Sequence, residues 1–352
     1  MDKLFSPLQL GALHLQNRIV MAPMTRNRAE PDGCANALMA QYYRQRGDAG
    51  LVIAEGTWPS ADGQAYCRQP GIANEAHVRA WKPVCAAVHA RGGLIALQIM
   101  HGGRIGSVHI KGAGSRSLAP SALQAQGEVF TDRSGMQAYD LPEALSTEEV
   151  RAVIAEHGAA AKRAREAGFD AVELHCTSGY LPMQFLCSGT NVRTDAYGGD
   201  AAARARFAIE CLQAMGAAIG IDRVGLRINP GNTFNDTSDD NSAATHATLL
   251  GLAAPLGLAY VHVMRAPLPE IDAFGMAAQV LPRRLILNDG FGPDTCASAL
   301  DQYPGAALSF ARHFVGNPDL VQRLRQGLPL ARFDRKTLYT PGASGYTDYP
   351  CA

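Results

Sequence analysis

From residue 18 onward the chain repeats one pattern eight times: a short run rich in β-branched residues, then a longer stretch with the spacing of an amphipathic helix. The runs are RIVMAP (18–23), GLVIAEG (50–56), LIALQIM (94–100), DAVELH (170–175), VGLRINP (224–230), AYVHVM (259–264), RRLILND (283–289) and GAALSFA (305–311). Such alternation predicts repeated βα units on a parallel sheet, and eight of them predict an α/β chain closed into a TIM (β/α)8 barrel. Between the runs lie helical segments. Residues 75–92 end in a Gly stop, and residues 147–168 start at Ser146 and Thr147 before Glu148 and Glu149, which resembles a capping box. A chain of 352 residues has room for two ordinary domains or one large barrel. The repeat selects the second, a single domain over 1–352. Two segments fall outside it. Residues 4–16 (LFSPLQLGALHLQ) read as a hairpin turning at Gly11 and plugging the bottom of the barrel, and residues 101–146, rich in Gly, Ser and Pro, form a long insertion after strand 3 of the kind that caps a site.

Composition narrows the partners. Lys plus Arg and Asp plus Glu both total 32, so the net charge is zero and no long-range field gathers nucleic acid or an anionic membrane. Charged residues are 18% and hydrophobic residues 47%, which suits a large buried core. The most apolar stretches fall far short of the roughly 20 residues a membrane span needs, and no basic-then-apolar leader opens the sequence. The expected location is the cytoplasm. Cys34, Cys67, Cys85, Cys176, Cys187, Cys211, Cys296 and Cys351 form no C-x-x-C pair, so neither a disulfide framework nor a metal site is expected.

A TIM barrel carries its chemistry on the loops after its strands, and frequently a phosphate site after strands 7 and 8. The first of those loops is NDGFGPD (288–294) and the second FARHFVGNPDL (310–320). Arg312 has the planar fork that suits a phosphate, with backbone N–H groups near Gly290 and Ala311 beside it. An Arg that merely lies over the barrel rim is the plainer alternative. Thr25 follows strand 1, Gly56 ends strand 2, Gln98 lies near the end of strand 3 and Arg227 lies within strand 5. An amide and a guanidinium inside apolar strands cost several kcal/mol unless they meet partners. Together with a phosphate loop they suit a flat polar ring. After strand 4, DAVELHCTSGYLPMQFL (170–186) places His175, Ser178 and Tyr180 on one Gly-containing turn.

Over nearly its whole length the sequence resembles the Old Yellow Enzyme family of FMN-dependent ene-reductases. The resemblance rests on LFSPLQLG, NRIVMAPMTRNRA, LQIMHGGR (97–104), ELHCTSGYLPMQFL (173–186), NVRTDAYGGD (191–200), FARHFVGNPDL (310–320) and GYTDYP (345–350), in that order. It implies FMN as cofactor, with NADPH or NADH as reductant. It implies Pro23, Thr25, Gly56, Gln98 and Arg227 around the isoalloxazine, and Arg312 with the backbone of Gly290 and Ala311 at the phosphate. A cation at Arg227 would stabilise negative charge on the reduced ring. His175 and the residue at 178 are implied as hydrogen-bond donors to the carbonyl of an activated alkene, and Tyr180 as proton donor to its α-carbon. Tyr66 and Tyr339 match aromatic positions lining the pocket.

The chain departs from the pattern in three places. Ser178 stands where His or Asn is usual, Met100 where many relatives carry Trp, and Ala311 where Gly is common. Having Thr25 rather than Cys resembles the enterobacterial and yeast-like branch. The expected activity is reduction of α,β-unsaturated carbonyl or nitro compounds by a monomer or homodimer. Ser178 leaves open an isomerase or oxidase/desaturase, and a flavin-binding protein without turnover is the reading from another class.

Overall fold

The computed structural model describes residues 2–352. Its central feature is a closed barrel of eight parallel strands: β1 (Ile19–Met21), β2 (Leu51–Thr57), β3 (Leu94–Ile99), β4 (Ala171–Cys176), β5 (Val224–Ile228), β6 (Tyr260–Met264), β7 (Leu285–Asn288) and β8 (Ala306–Phe310). Each strand falls on its expected run to within a residue. Neighbours in sequence are neighbours in space, and the pairing of β4 with β3 on one side and β5 on the other leaves no free edge.

Period-two alternation sorts the strand residues. Val172, Leu174 and Cys176 of β4 face outward into the main core shared with the helices. Ala171, Glu173 and His175 alternate with them and face inward. The lower interior is apolar: Val20, Ile53, Ala96, Ala171, Ile286 and Ala307 pack on one another. Two residues further along β3, β4, β6, β7 and β8 the interior turns polar, with Gln98, Glu173, His262, Asn288 and Ser309 all buried.

The expected N-terminal hairpin forms, with Leu8–Leu10 antiparallel to Leu13–Leu15. Leu10, Leu13 and Leu15 pack directly on the apolar lower layer and close the barrel floor. Gly11 makes the turn at φ 57°, and a Cβ there would lie 2.2 Å from the carbonyl oxygen of Asp222. Only glycine fits that approach.

Helices Ala37–Arg44, Glu75–His89, Thr147–Ala167, Ala201–Ile219, Ser242–Ala253, Ala273–Val280 and Cys296–Gln302 surround the strands. Ser146 and Glu149 do form a capping box, and Gly168 ends the same helix in the left-handed conformation at φ 104°. No described helix is long and apolar enough to cross a membrane.

Residues 101–146 hold a small antiparallel hairpin, Glu128–Thr131 with Gly135–Ala138, and a two-residue parallel pairing of Leu118–Ala119 with Glu143–Ala144. Ile105, Ala125, Val129 and Tyr139 of this insertion pack against Met100 and Tyr180, so it lies over the barrel mouth. Lys111 pins it: its buried Nζ donates to the carbonyls of Asp62 and Arg116 at 2.8 and 2.9 Å. The C-terminal segment is pinned from the other side. Arg26 donates to the carbonyls of Leu338 and Gly345, and Arg28 to those of Thr337, Leu338 and Ser344.

Candidate active site

The polar interior layer is one connected network. Gln98 Nε2 donates to one carboxyl oxygen of Glu173 at 2.8 Å, and His262 Nδ1 meets the other at 2.9 Å. His262 Nε2 lies 2.8 Å from the Ser309 hydroxyl. Burial pushes the His262 imidazole below its ordinary range, and the neighbouring Arg227 guanidinium adds to this against the pull of Glu173. The Ser309 hydroxyl also lies 3.2 Å from the Leu287 carbonyl, which extends the network to the β7 backbone. Side chains from four strands are thereby tied together beneath the barrel mouth, and Gln98 keeps a carbonyl oxygen and one N–H for a ligand.

Arg227 sits between His175 and His262 in strand register. Its Nη2 donates to Asn288 at 3.1 Å and Nη1 lies 3.5 Å from the Pro23 carbonyl, while its buried Nε has no partner among the described residues. His175 Nδ1 and Asn229 Oδ1 are buried and unpartnered in the same way. Orphaned donors and acceptors of this kind are expensive in a finished interior. Their convergence on the mouth fits a flat ring with polar edges, as a flavin has.

Burial holds the His175 imidazole well below its ordinary pKa, with Arg227 the next contributor. Its useful form is therefore the neutral one. The turn that follows is tightly wound. Ser178 and Gly179 both have positive φ, 57° and 75°, and Tyr180 then caps the short helix Leu181–Leu186, which carries Pro182 in its first turn. Asn235 Nδ2 donates to the Ser178 carbonyl at 2.8 Å, and Leu181 N–H donates to the His101 carbonyl at 3.0 Å. Gln184 donates to the carbonyls of Gly102 and Gly179 at 3.0 and 2.7 Å. This scaffold fixes the phenol of Tyr180 beside the His175 ring, with centroids 4.9 Å apart. Tyr66 and Tyr180 share a hydrogen bond between hydroxyls at 2.9 Å. Burial raises the Tyr180 phenol well above its ordinary range and pushes Tyr66 up to about 12. Both stay protonated at any working pH.

At the other end of the mouth, Arg227, Asn288, Gly290, Ala311 and Arg312 line a cavity of about 820 Å³. That one space joins the proposed ring-edge cation to the proposed phosphate residues.

The structure thus brings His175, Tyr180, Tyr66 and Met100 together, and separately gathers Arg227, Gly290, Ala311 and Arg312. Gly56 abuts Met100, where a Cβ would lie 2.5 Å from Sδ. Thr25, only partly buried, follows β1 and Pro23 on the same rim. The Ser178 hydroxyl lies 3.3 Å from that of Thr177. Tyr339 is 59% exposed on the segment held by Arg28, outside the packed cluster. Sequence reasoning missed Glu173, His262, Asn288 and Ser309. Their signal was a polar residue at each inward register position of an otherwise apolar strand. Asn235 and Asp289 gave none.

A TIM barrel whose mouth offers unpartnered buried polar groups beside a phosphate-sized polar end suits the cofactor of a flavin-binding oxidoreductase. Residues 3–331 match the model of the NADH:flavin oxidoreductase / NADH oxidase family. A probable flavin mononucleotide-dependent alkene reductase of Leishmania infantum is 38% identical, over 99% of this chain and 97% of that protein. Two solved structures superpose with a TM-score of 0.95: morphinone reductase in complex with tetrahydroNAD, at 40% identity over 99% of this chain and 97% of that one, and the old yellow enzyme homologue of Zymomonas mobilis, at 36% identity over 99% of both. The chain belongs to this family, the Old Yellow Enzymes. It is an FMN-dependent oxidoreductase that takes its electrons from a nicotinamide nucleotide.

Proposed function

We propose that the protein reduces the C=C bond of α,β-unsaturated carbonyl or nitro compounds, with NADPH or NADH as reductant, in two alternating half-reactions. FMN, when bound and reduced, supplies the hydride for the β-carbon. Gln98 and Arg227 would hold the polar edge of the ring and Arg312 with the Gly290 and Ala311 backbone its phosphate, with Pro23, Thr25 and Gly56 along the rim.

The substrate side is the work of this chain's own groups. His175, neutral, donates a hydrogen bond to the activating oxygen and draws electron density from the β-carbon. Ser178 is too short to match an Asn or His, so it reaches the same oxygen through a water. Tyr180 gives its phenolic proton to the α-carbon, and Tyr66, bonded to it, relays a proton from solvent to the vacated oxygen and ends protonated itself. Met100 and Tyr66 wall the pocket, Tyr339 closes it from the C-terminal segment, and residues 101–146 act as a lid over it, excluding water. The observation that carries this reading is the juxtaposition of a neutral imidazole and a protonated phenol at 4.9 Å. One binds the electron-withdrawing end of a double bond while the other holds a proton nearby.

The reading also takes the whole chain as one catalytic domain, working in the cytoplasm as a monomer or homodimer without nucleic-acid or membrane partners. Its test is turnover of 2-cyclohexenone with product analysis. Formation of cyclohexanone dependent on NADPH or NADH supports it. Conversion of substrates without any nicotinamide would instead assign an isomerase or desaturase.

A further inference from the structure

The phosphate end of the cavity already holds an anion. Asp289, just after β7, has φ 81°, a left-handed conformation that Asp adopts more readily than most side chains. Two contacts orient its exposed side chain. Its Oδ1 accepts the Gly290 N–H at 3.0 Å and lies 3.5 Å from Arg312 Nη2. Gly290 N–H and the Arg312 guanidinium are two of the donors the proposed function assigns to the cofactor phosphate, beside the Ala311 backbone, and Asp289 lines the same cavity. A single N–H serves one strong acceptor well, and a carboxylate beside a phosphate dianion adds like-charge repulsion.

We infer that Asp289 is a resident competitor for the phosphate clamp, which weakens the protein's hold on FMN specifically through the phosphoester. To admit the phosphate, the Asp289 side chain turns away and surrenders both contacts. The flavin ring, held at the other end by Gln98 and Arg227, is indifferent to that movement. The ratio of FMN to riboflavin affinity is therefore smaller in the wild-type protein than the clamp alone would give. This inference rests on the proposed placement of the phosphate at Arg312, so the experiment separates the two.

Apo-protein is titrated with FMN and, separately, with riboflavin, following the quenching of flavin fluorescence, for the wild type, Asp289→Asn, Asp289→Gly and Arg312→Gln. Asp289→Asn should tighten FMN on the order of fivefold, the scale of one exposed ion pair, and Asp289→Gly at least as much. Riboflavin affinity should be unmoved in both, which also shows that the variants fold. Arg312→Gln should weaken FMN and spare riboflavin. FMN binding that is no tighter in either Asp289 variant, while Arg312→Gln still discriminates, overturns the competitor and leaves the clamp. Equal tightening of FMN and riboflavin also overturns it, since the effect would not be on the phosphate. An Arg312→Gln variant that treats the two flavins alike removes the clamp and the inference together.

Discussion

Replacing Ser178 with Asn probes the least ordinary position in the substrate half of the site. Ser178 holds φ 57°, and a left-handed conformation costs a non-glycine residue about 1–2 kcal/mol. Asn tolerates it better than Ser, so Ser178→Asn should recover part of that cost and raise the unfolding midpoint slightly. The backbone contacts of the turn survive the change, because Asn235 bonds the main-chain carbonyl of residue 178 and not its side chain. The larger effect is chemical. An amide N–H beside His175 supplies a direct second donor in place of a hydroxyl now facing Thr177 at 3.3 Å. One added hydrogen bond to a developing oxyanion is worth about 1–3 kcal/mol, or about 5- to 150-fold in rate. The assay is stopped-flow reoxidation of the NADPH-reduced enzyme by 2-cyclohexenone, read at the flavin absorbance, beside a thermal melt. A rate unchanged or lowered, in a variant that melts no lower than wild type, would refute the idea that residue 178 is a depleted donor.

Other perturbations act on separate parts of the molecule. Tyr180→Phe should slow reoxidation by enone about 10²- to 10⁴-fold, the span of a lost general acid, with reduction by NADPH little changed. Tyr66→Phe leaves the Tyr180 hydroxyl without its 2.9 Å partner; steady-state turnover should fall by the equivalent of about 1–3 kcal/mol, with deuterated solvent enlarging the deficit. Leu13→Ala opens a cavity at the barrel floor and should cost about 2–5 kcal/mol of stability in urea titration, with the affinity for FMN preserved in the folded fraction. The buried imidazoles of His101, His157, His175 and His262 are all held below their ordinary pKa by burial, His157 at about 4. The unfolded chain takes up their protons first as pH falls below about 6.5, so stability is full above that value and is lost on acidification. The slope is up to about 1.4 kcal/mol per pH unit for each ring, and a urea midpoint equal at pH 7.5 and 5.5 would contradict it.

The barrel was legible because each strand had to bury itself, and that requirement wrote eight apolar runs into the sequence. The floor was legible for the same reason, since Leu10, Leu13 and Leu15 have nothing else to cover them. Gln98 and Arg227 stood out as polar residues in strands otherwise read as apolar. Glu173 and His262 stand in β4 and β6, yet their meaning came only with closure, which joins residues 89 positions apart. Asn235 and Asp289 lie on loops, where a polar residue is ordinary and only the three-dimensional path shows what it touches. The grip of Arg26 and Arg28 on the C-terminal segment was hidden similarly, because it runs to backbone carbonyls that leave no mark on sequence.

The pairing of imidazole and phenol is tested most directly by running the enone reduction in deuterium oxide with unlabelled NADPH and locating the label by NMR. The expected product is cyclohexanone carrying deuterium at the α-carbon and not at the β-carbon, formed rapidly by wild type and far more slowly by both Tyr180→Phe and His175→Ala. Undiminished α-labelled product from Tyr180→Phe, or no reduced product from the flavin-loaded wild type, would contradict it.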